Sequence, residues 1–227
     1  MNETLRQIIK KTFAYMGVKI QQYDRNFPEL WSNSPEFQAL YKEIKPYTVV
    51  WQTRCFMLYQ LARYAGAKEG EMAQVGVYKG GTAKLIAKTC PHKTIHLFDT
   101  FSGTPKEDPS IDSCKKGGFS DTSFESVREY FTDCDNVLIH PGFFPATAET
   151  IKDKLFCLAD IDVSLYRSVK DCLEFFYDRM VSGGIMSVAG YEWTSCPGAK
   201  KAIHEFLADK AEFPIITTQY QCMFIKI

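Results

Sequence analysis

Short apolar runs alternate with helix-length amphipathic segments along the chain beyond residue 70, which is typical of a parallel sheet with crossover helices. The runs predicted as strands cover residues 71–76, 94–98, 137–140, 156–161 and 184–188. A capping-box pattern from Thr122 to Glu125 predicts the start of a helix over 124–131. Further helices are expected over 51–64 and 197–206. The pattern predicts an α/β fold.

The C-terminal segment has a different pattern. Two strand-like runs, 214–218 and 222–227, have only Gln219, Tyr220 and Gln221 between them, so we expect them to pair as an antiparallel hairpin. A Rossmann-like, mostly parallel seven-stranded sheet that ends in such a hairpin is typical of class I S-adenosylmethionine (SAM) enzymes rather than of dehydrogenases. We therefore expect that layout.

The N-terminal part differs again. Apolar residues recur at largely helical spacing over 3–20, and a polar, aromatic segment interrupted by Pro28, Pro35 and Pro46 follows. The sequence therefore predicts two parts: an N-terminal helical extension over 1–50, acting as a lid or dimer element, and a SAM-binding α/β domain over 51–227.

Charge and composition restrict the classes of partner. The 27 basic and 27 acidic residues cancel, and no basic stripe is present, so we expect a small-molecule ligand rather than nucleic acid. No apolar stretch approaches the length of a membrane span and the start lacks signal-peptide features, which predicts a cytoplasmic protein without a membrane partner. The eight cysteines form no C-x-x-C pair and are expected to be reduced thiols.

A glycine-rich turn follows the first predicted strand. The segment from Gln74 to Thr82 reads Gln-Val-Gly-Val-Tyr-Lys-Gly-Gly-Thr and leads into a helical run, and such a turn lets the backbone approach a ligand at the crevice of the sheet. The second strand is followed by Asp99, where nucleotide-binding folds keep the acid that binds ribose hydroxyls. The glycines alone fit an ordinary turn, but together with Asp99 they predict nucleoside binding.

An ordered set of motifs from about Thr48 to the C-terminus resembles the macrocin O-methyltransferase family. The set comprises Val75 to Thr82, Leu97 to Phe101 with Gly103 and Pro105, Phe119 to Ser123, Gly142 with Phe144, Pro145 and Thr147, Asp162 with Leu165, Tyr166 and Ser168, Gly183 to Ile185, and Tyr191 before Pro197 and Gly198. The resemblance implies that SAM lies across the carboxyl ends of the first strands, with its ribose on Asp99. It also suggests a homodimer or a higher oligomer.

The resemblance implies a set of cofactor-binding residues around the glycine-rich turn and the end of the second strand. These residues are Gln74, Gly76, Tyr78, Gly80, Gly81, Thr82, Asp99 and Thr100. The loop from Gly76 to Gly81 would pass close to the methionine part of SAM.

The chain departs from the family pattern at acidic positions. Gln74 stands where the family has Glu, Ser164 replaces the second acid of a D-x-D pattern that Asp162 begins, and Ala189 and Gly190 replace an acidic pair. A divalent cation such as Mg²⁺ needs several oxygen ligands, which one surviving carboxylate does not provide. We therefore expect no catalytic metal.

Three hypotheses for the activity remain open, and the sequence favours the first, cyclisation of SAM, over the other two. The first follows from Gln74, because the loss of a carboxylate beside the α-amine of SAM leaves more of that amine neutral. The neutral amine would attack Cγ of the same SAM molecule and give azetidine-2-carboxylate and methylthioadenosine. This is the reaction of azetidine-2-carboxylate synthases. The second is metal-independent methyl transfer to a nucleophilic small molecule. The third is a non-catalytic SAM-binding protein.

Four residues are candidates for catalysis. They are Asp162, Ser164, Tyr166 and Tyr191. Asp162 and Ser164 would accept a proton or a hydrogen bond from the amine, and Asp162 or Tyr191 would be the base in methyl transfer. Aromatic faces stabilise a sulfonium as they do other cations, a role expected for Tyr78, Tyr166 and Tyr191.

Overall fold

The computed structural model describes residues 29–105, 111–112, 116–217 and 220–227. The chain divides into two compact units, Met1–Asn33 and Ser34–Ile227. The predicted helix over 3–20 lies outside the described residues, and its role as a lid or dimer element stays a prediction. The second unit holds the α/β fold.

Seven strands form a single sheet. They are β1 (Glu71–Val75), β2 (Ile95–Asp99), β3 (Val137–Pro141), β4 (Phe156–Ile161), β5 (Met180–Ala189), β6 (Ile215–Ile216) and β7 (Gln221–Ile225). The spatial order is β3-β2-β1-β4-β5-β7-β6. Strands β1 to β5 pair in parallel, and β7 pairs antiparallel with both β5 and β6. The predicted mostly parallel seven-stranded sheet with a C-terminal hairpin is confirmed.

Six α-helices connect and flank these strands in the described residues. They are α1 (Pro35–Ile44), α2 (Gln52–Gly66), α3 (Gly81–Thr89), α4 (Phe124–Tyr130), α5 (Tyr166–Phe176) and α6 (Gly198–Leu207), with short 3₁₀ helices at Lys45–Tyr47, Ala146–Ile151 and Tyr177–Arg179. In the described part of the chain, no helix combines the length and the apolar character that crossing a bilayer requires.

The N-cap of α4 and the extent of the N-terminal part differ from the prediction. The capping box of α4 lies one residue later than expected: Ser123 Oγ accepts a hydrogen bond from the Ser126 N–H at 3.1 Å, and Ser126 Oγ accepts one from the Ser123 N–H at 3.2 Å. In α1, the Phe37 ring packs edge-on against Phe56 of α2 with centroids 4.9 Å apart. Residues 35–44 therefore belong with the α/β unit rather than with a separate extension over 1–50.

Two apolar clusters line the sheet because side chains alternate along each strand. Val75 packs in one cluster with Ile203 of α6, and Met72 packs in the other with Ile86 of α3. By this alternation Gln74 lies on the same face as Met72, toward α2 and α3. This face carries a buried polar row that contributes to the candidate site.

Candidate active site

A cavity of about 880 Å³ lies at the carboxyl ends of β1, β2 and β4. Its size is within the range of pockets that take small molecules and cofactors. Parallel strands bring their carboxyl ends to one edge of the sheet, so residues distant in sequence meet there. Of the predicted site residues, those that line the cavity are Gly76, Tyr78, Thr82, Asp99, Thr100, Asp162 and Ser164.

Asp99 holds the glycine-rich turn in place. Its Oδ2 accepts hydrogen bonds from the backbone N–H groups of Val77 at 2.7 Å and Tyr78 at 2.8 Å, and its Oδ1 accepts one from Phe101 at 2.8 Å. Tyr78 has a left-handed backbone with φ 56°, which is costly for a residue with a side chain. The two hydrogen bonds from Val77 and Tyr78 stabilise this conformation and fix the turn at the cavity wall, while the one from Phe101 orients the Asp99 carboxylate.

Gly76 allows the end of β1 to pass very close to the chain that leaves β4. Its φ is +90°, and a Cβ at this position would overlap the carbonyl oxygen of Asp162. The turn therefore requires glycine for both its backbone angle and its close approach.

Gly80 and Gly81 shape the turn but do not line the cavity. Gly80 has φ +89° and immediately precedes α3, and a Cβ on Gly81 would lie 2.7 Å from the Tyr47 carbonyl oxygen. Their visible effect is on the backbone path, and their contact with the cofactor stays a prediction.

Gln74 is fully buried and is not part of the cavity wall. Its Nε2 donates hydrogen bonds to Asp160 Oδ2 at 2.7 Å and to Thr82 Oγ1 at 3.0 Å. Gln74 and Asp160 are register partners on β1 and β4. The structure therefore does not support a direct contact of Gln74 with the cofactor amine, and it reveals an acid that sequence reasoning missed on the neighbouring strand.

Asp160 belongs to a buried polar row that crosses the sheet. Burial, and secondarily the charge of Asp162, raise the pKa of Asp160 to about 6, while Arg54 and the Gln74 hydrogen bond oppose the shift. Ser187 of β5 is the register partner of Asp160, and Gln221 Nε2 of β7 donates to Ser187 Oγ at 2.7 Å. The row lies behind the cavity wall and couples its strands through polar side chains.

An ion pair between Arg54 and Asp162 forms part of the cavity wall. Arg54 Nη2 on α2 donates to Asp162 Oδ1 at 2.6 Å, and the two side chains are only 16% and 20% exposed. Burial opposes the charge on Arg54, but Asp162 and Asp160 raise the pKa of this guanidinium. Sequence reasoning missed Arg54 because one arginine on an amphipathic helix carries no local signal of its partner.

The predicted catalytic residues separate into two groups. Asp162 and Ser164 line the cavity, whereas Tyr166 and Tyr191 do not. The Tyr166 hydroxyl donates to Glu205 Oε2 at 2.7 Å. Tyr191 is a buried residue, and its hydroxyl lies 2.9 Å from His204 Nε2. Neither hydroxyl therefore lies on the cavity wall, and the catalytic roles of Tyr166 and Tyr191 stay predictions.

Aromatic side chains that the sequence analysis did not assign surround the cavity. They are Tyr47, Trp51, Phe119, Phe143, Trp193 and Tyr220, which we call the aromatic rim. Trp51, Phe143 and Tyr220 are 64%, 61% and 54% exposed. Large apolar side chains clustered at an opening mark a binding surface rather than ordinary exposure. The rim favours a ligand with an apolar or flat face.

The acids and thiols near the cavity add two observations. Among the described residues, no three His, Cys, Asp or Glu side chains come together as a group suited to a metal ion, and independence from metal stays a prediction. Six described cysteines are buried free thiols, as expected. Cys196, which lines the cavity, is disulfide-bonded, and this corrects the expectation of a reduced thiol at that position.

Known proteins resemble this chain in sequence and in fold. A curated demethyldecarbamoylnovobiocin O-methyltransferase from Streptomyces niveus is 27% identical over 155 residues, which are 61% of this chain and 58% of that protein. The solved O-methyltransferase NovP has a TM-score of 0.67 at 23% identity and covers 79% of this chain and 82% of its own. A calicheamicin methyltransferase has a TM-score of 0.67 at 17% identity, with 91% and 97% covered.

The two solved structures show that the fold is that of class I SAM methyltransferases. The chain spans 58% of the length of the curated Streptomyces relative. Residues 43–226, most of the chain, match the family model described as macrocin-O-methyltransferase (TylF). This chain belongs to the macrocin O-methyltransferase family.

Proposed function

We propose that this chain transfers a methyl group from SAM to a hydroxyl group of a small-molecule acceptor, without a bound metal ion. The observation that carries the proposal is the cavity at the carboxyl ends of β1, β2 and β4, with Gly76, Asp99 and Asp162 on its wall, in a member of this family. The curated relative is named an O-methyltransferase, which supports oxygen as the methylated atom.

The described residues fit SAM. Gly76 lines the cavity without a side chain, so its backbone is open to a ligand. The Asp99 carboxylate has acceptor capacity beyond its three backbone hydrogen bonds, which suits ribose hydroxyls. Tyr78 offers an aromatic face on the cavity wall that suits a cation. When bound, SAM supplies an electrophilic methyl group on a sulfonium sulfur.

The aromatic rim suits an acceptor with an apolar, planar body. It also reduces the access of water once an acceptor covers the opening. Tyr191 is buried against His204, so this proposal assigns it no role as a base. A phenolic hydroxyl, with an ordinary pKa of about 10, loses its proton to solvent water readily enough that accurate positioning contributes more than a strong base would.

Independence from metal is proposed from the charges at the position of the lost acids. Asp162 is already paired with the Arg54 guanidinium at 2.6 Å, and Ser164 and Gly190 beside it carry no charge. A carboxylate held by a cation attracts a divalent ion less strongly, and uncharged neighbours do not complete a coordination sphere.

Cyclisation of SAM loses its structural basis. That hypothesis required an uncharged Gln74 beside the α-amine, whereas Gln74 is buried against Asp160 and Thr82. The relatives named above are methyltransferases, which supports methyl transfer over cyclisation.

The test is to incubate the purified full chain with SAM, with and without a panel of phenolic and sugar-nucleotide acceptors, and to identify products by mass spectrometry. We expect S-adenosylhomocysteine and a methylated product only when an acceptor is present, at a rate unchanged by EDTA. Methylthioadenosine and azetidine-2-carboxylate formed from SAM alone would establish cyclisation instead. Activity that EDTA abolishes and Mg²⁺ restores would overturn independence from metal.

A further inference from the structure

We infer that the Arg54–Asp162 ion pair is the binding site for the amino acid end of SAM: Arg54 takes the α-carboxylate and Asp162 takes the α-ammonium. The inference rests on the proposed function only in taking SAM as the ligand, and it holds whether or not methyl transfer follows.

The charges of the cavity wall select this pair. Among the described lining residues, Arg54 is the one cation, and Asp99 and Asp162 are the two acids. An α-amino acid carries an ammonium and a carboxylate on the same carbon, so it requires one anionic and one cationic partner side by side. Arg54 and Asp162 meet this requirement at 2.6 Å, whereas Asp99 hydrogen-bonds to the glycine-rich turn.

Both side chains have hydrogen-bonding capacity to spare. A guanidinium has five N–H donors, and the described hydrogen bond of Arg54 uses Nη2 alone. Within the described residues, the Asp162 carboxylate accepts its hydrogen bond at Oδ1. The pair is therefore able to bind a zwitterion without breaking its own contact.

The position of the pair relative to Asp99 also fits. The Asp162 N–H donates to the Val75 carbonyl at 2.8 Å, which anchors Asp162 beside the Gly76 turn. The strand order β2-β1-β4 puts Asp99 and Asp162 on opposite sides of that turn. Two strand spacings amount to about 10 Å, which is a span that the ligand can bridge between its ribose hydroxyls and its amino acid end.

Binding by Asp162 has a chemical consequence. A carboxylate within a few ångströms favours the protonated form of an amine, and a protonated amine is not a nucleophile. Asp162 thereby supplies, from β4, the negative charge that Gln74 does not provide from β1. The arrangement favours reaction at the methyl group over ring closure by the amine.

The test compares two ligands by isothermal titration calorimetry: S-adenosylhomocysteine, and methylthioadenosine, which shares the adenosine and the thioether but lacks the amino acid. We expect Arg54→Gln to weaken binding of S-adenosylhomocysteine by about 10- to 100-fold and binding of methylthioadenosine by less than about two-fold. Arg63→Gln is the matched control, since Arg63 lies on the same helix, is exposed and does not line the cavity.

The double variant Arg54→Gln/Asp162→Asn tests the pair without leaving an unpaired charge. Its affinity for S-adenosylhomocysteine should fall to that for methylthioadenosine, while methylthioadenosine binding reports that the nucleoside part of the site is intact. The inference is overturned if Arg54→Gln and the double variant leave S-adenosylhomocysteine binding unchanged, or if they weaken both ligands equally. The assay needs neither an acceptor nor turnover, so its failure is distinct from a failure of the proposed function.

Discussion

The side-chain amide of Gln74 donates a hydrogen bond to the Asp160 carboxylate at 2.7 Å, across the paired strands β1 and β4. Both residues are buried. A buried carboxylate is costly unless a donor stabilises it, and the amide supplies that donor without adding a second negative charge. Position 74 therefore carries an amide where the facing strand carries the acid, Asp160, and the two residues should be substituted together.

Replacing Asp160 should remove a pH dependence of stability. Burial raises the pKa of Asp160 from 3.8 to about 6 in the folded protein. Because the folded state binds this proton more tightly than the unfolded state, protonated Asp160 stabilises the fold below about pH 4. That stabilisation is lost as the pH rises through about 6. We expect the unfolding free energy of Asp160→Asn, relative to wild type, to rise by on the order of 2 kcal/mol between about pH 4 and pH 7. Urea denaturation at several pH values measures this difference. A difference independent of pH would contradict the prediction.

Gln74→Glu should destabilise the fold rather than restore a cofactor contact. Two carboxylates at hydrogen-bonding distance in a buried site do not both ionise readily, so we expect a loss of about 2–4 kcal/mol at neutral pH and a smaller loss near pH 5. The double variant Gln74→Glu/Asp160→Asn exchanges the acid and the amide and should recover most of the loss. Equal stability of the single and double variants in denaturant titrations would disprove the coupling of these two side chains.

Gly76→Ala should damage both folding and ligand binding. Gly76 combines φ +90° with a Cβ position that overlaps the Asp162 carbonyl oxygen, whereas Gly117 has φ +78° with nothing within 4 Å of its Cβ position. We expect Gly117→Ala to cost about 1 kcal/mol from backbone strain alone, and Gly76→Ala to cost several times more and to abolish S-adenosylhomocysteine binding. Thermal denaturation and calorimetry measure the two effects. Equal costs for the two variants would show that the close approach is unimportant.

Tyr191→Phe should affect stability more than turnover. The Tyr191 hydroxyl is hydrogen-bonded to His204 away from the cavity wall, so its removal should cost about 1 kcal/mol of unfolding free energy and leave kcat within about three-fold. Tyr166→Phe is a useful control because its hydroxyl contacts Glu205 on the exposed side. A fall in kcat of a hundred-fold or more for Tyr191→Phe, with stability unchanged, would restore a catalytic role.

The strands, the C-terminal hairpin and the glycine-rich turn could be predicted because their signals lie within a few consecutive residues. Apolar runs have the length of a strand, and the glycines of the turn follow the first strand directly in the sequence. The predicted capping box began one residue too early because Thr122 and Ser123 are both suitable N-cap residues. Only the hydrogen bond from the Ser126 N–H to Ser123 Oγ identifies Ser123 as the N-cap.

The sequence by itself determined the fold class, the cavity edge of the sheet and the place of Asp99, since each depends on local periodicity and turn chemistry. Only the tertiary structure decided the partners of the charged and polar groups. Gln74 and Asp160 are 86 positions apart, and Arg54 and Asp162 are 108 apart. Strand order and helix packing bring such residues together, and no short-range pattern encodes which side chain faces which. For the same reason only the packed structure shows that Tyr166 and Tyr191 lie away from the cavity.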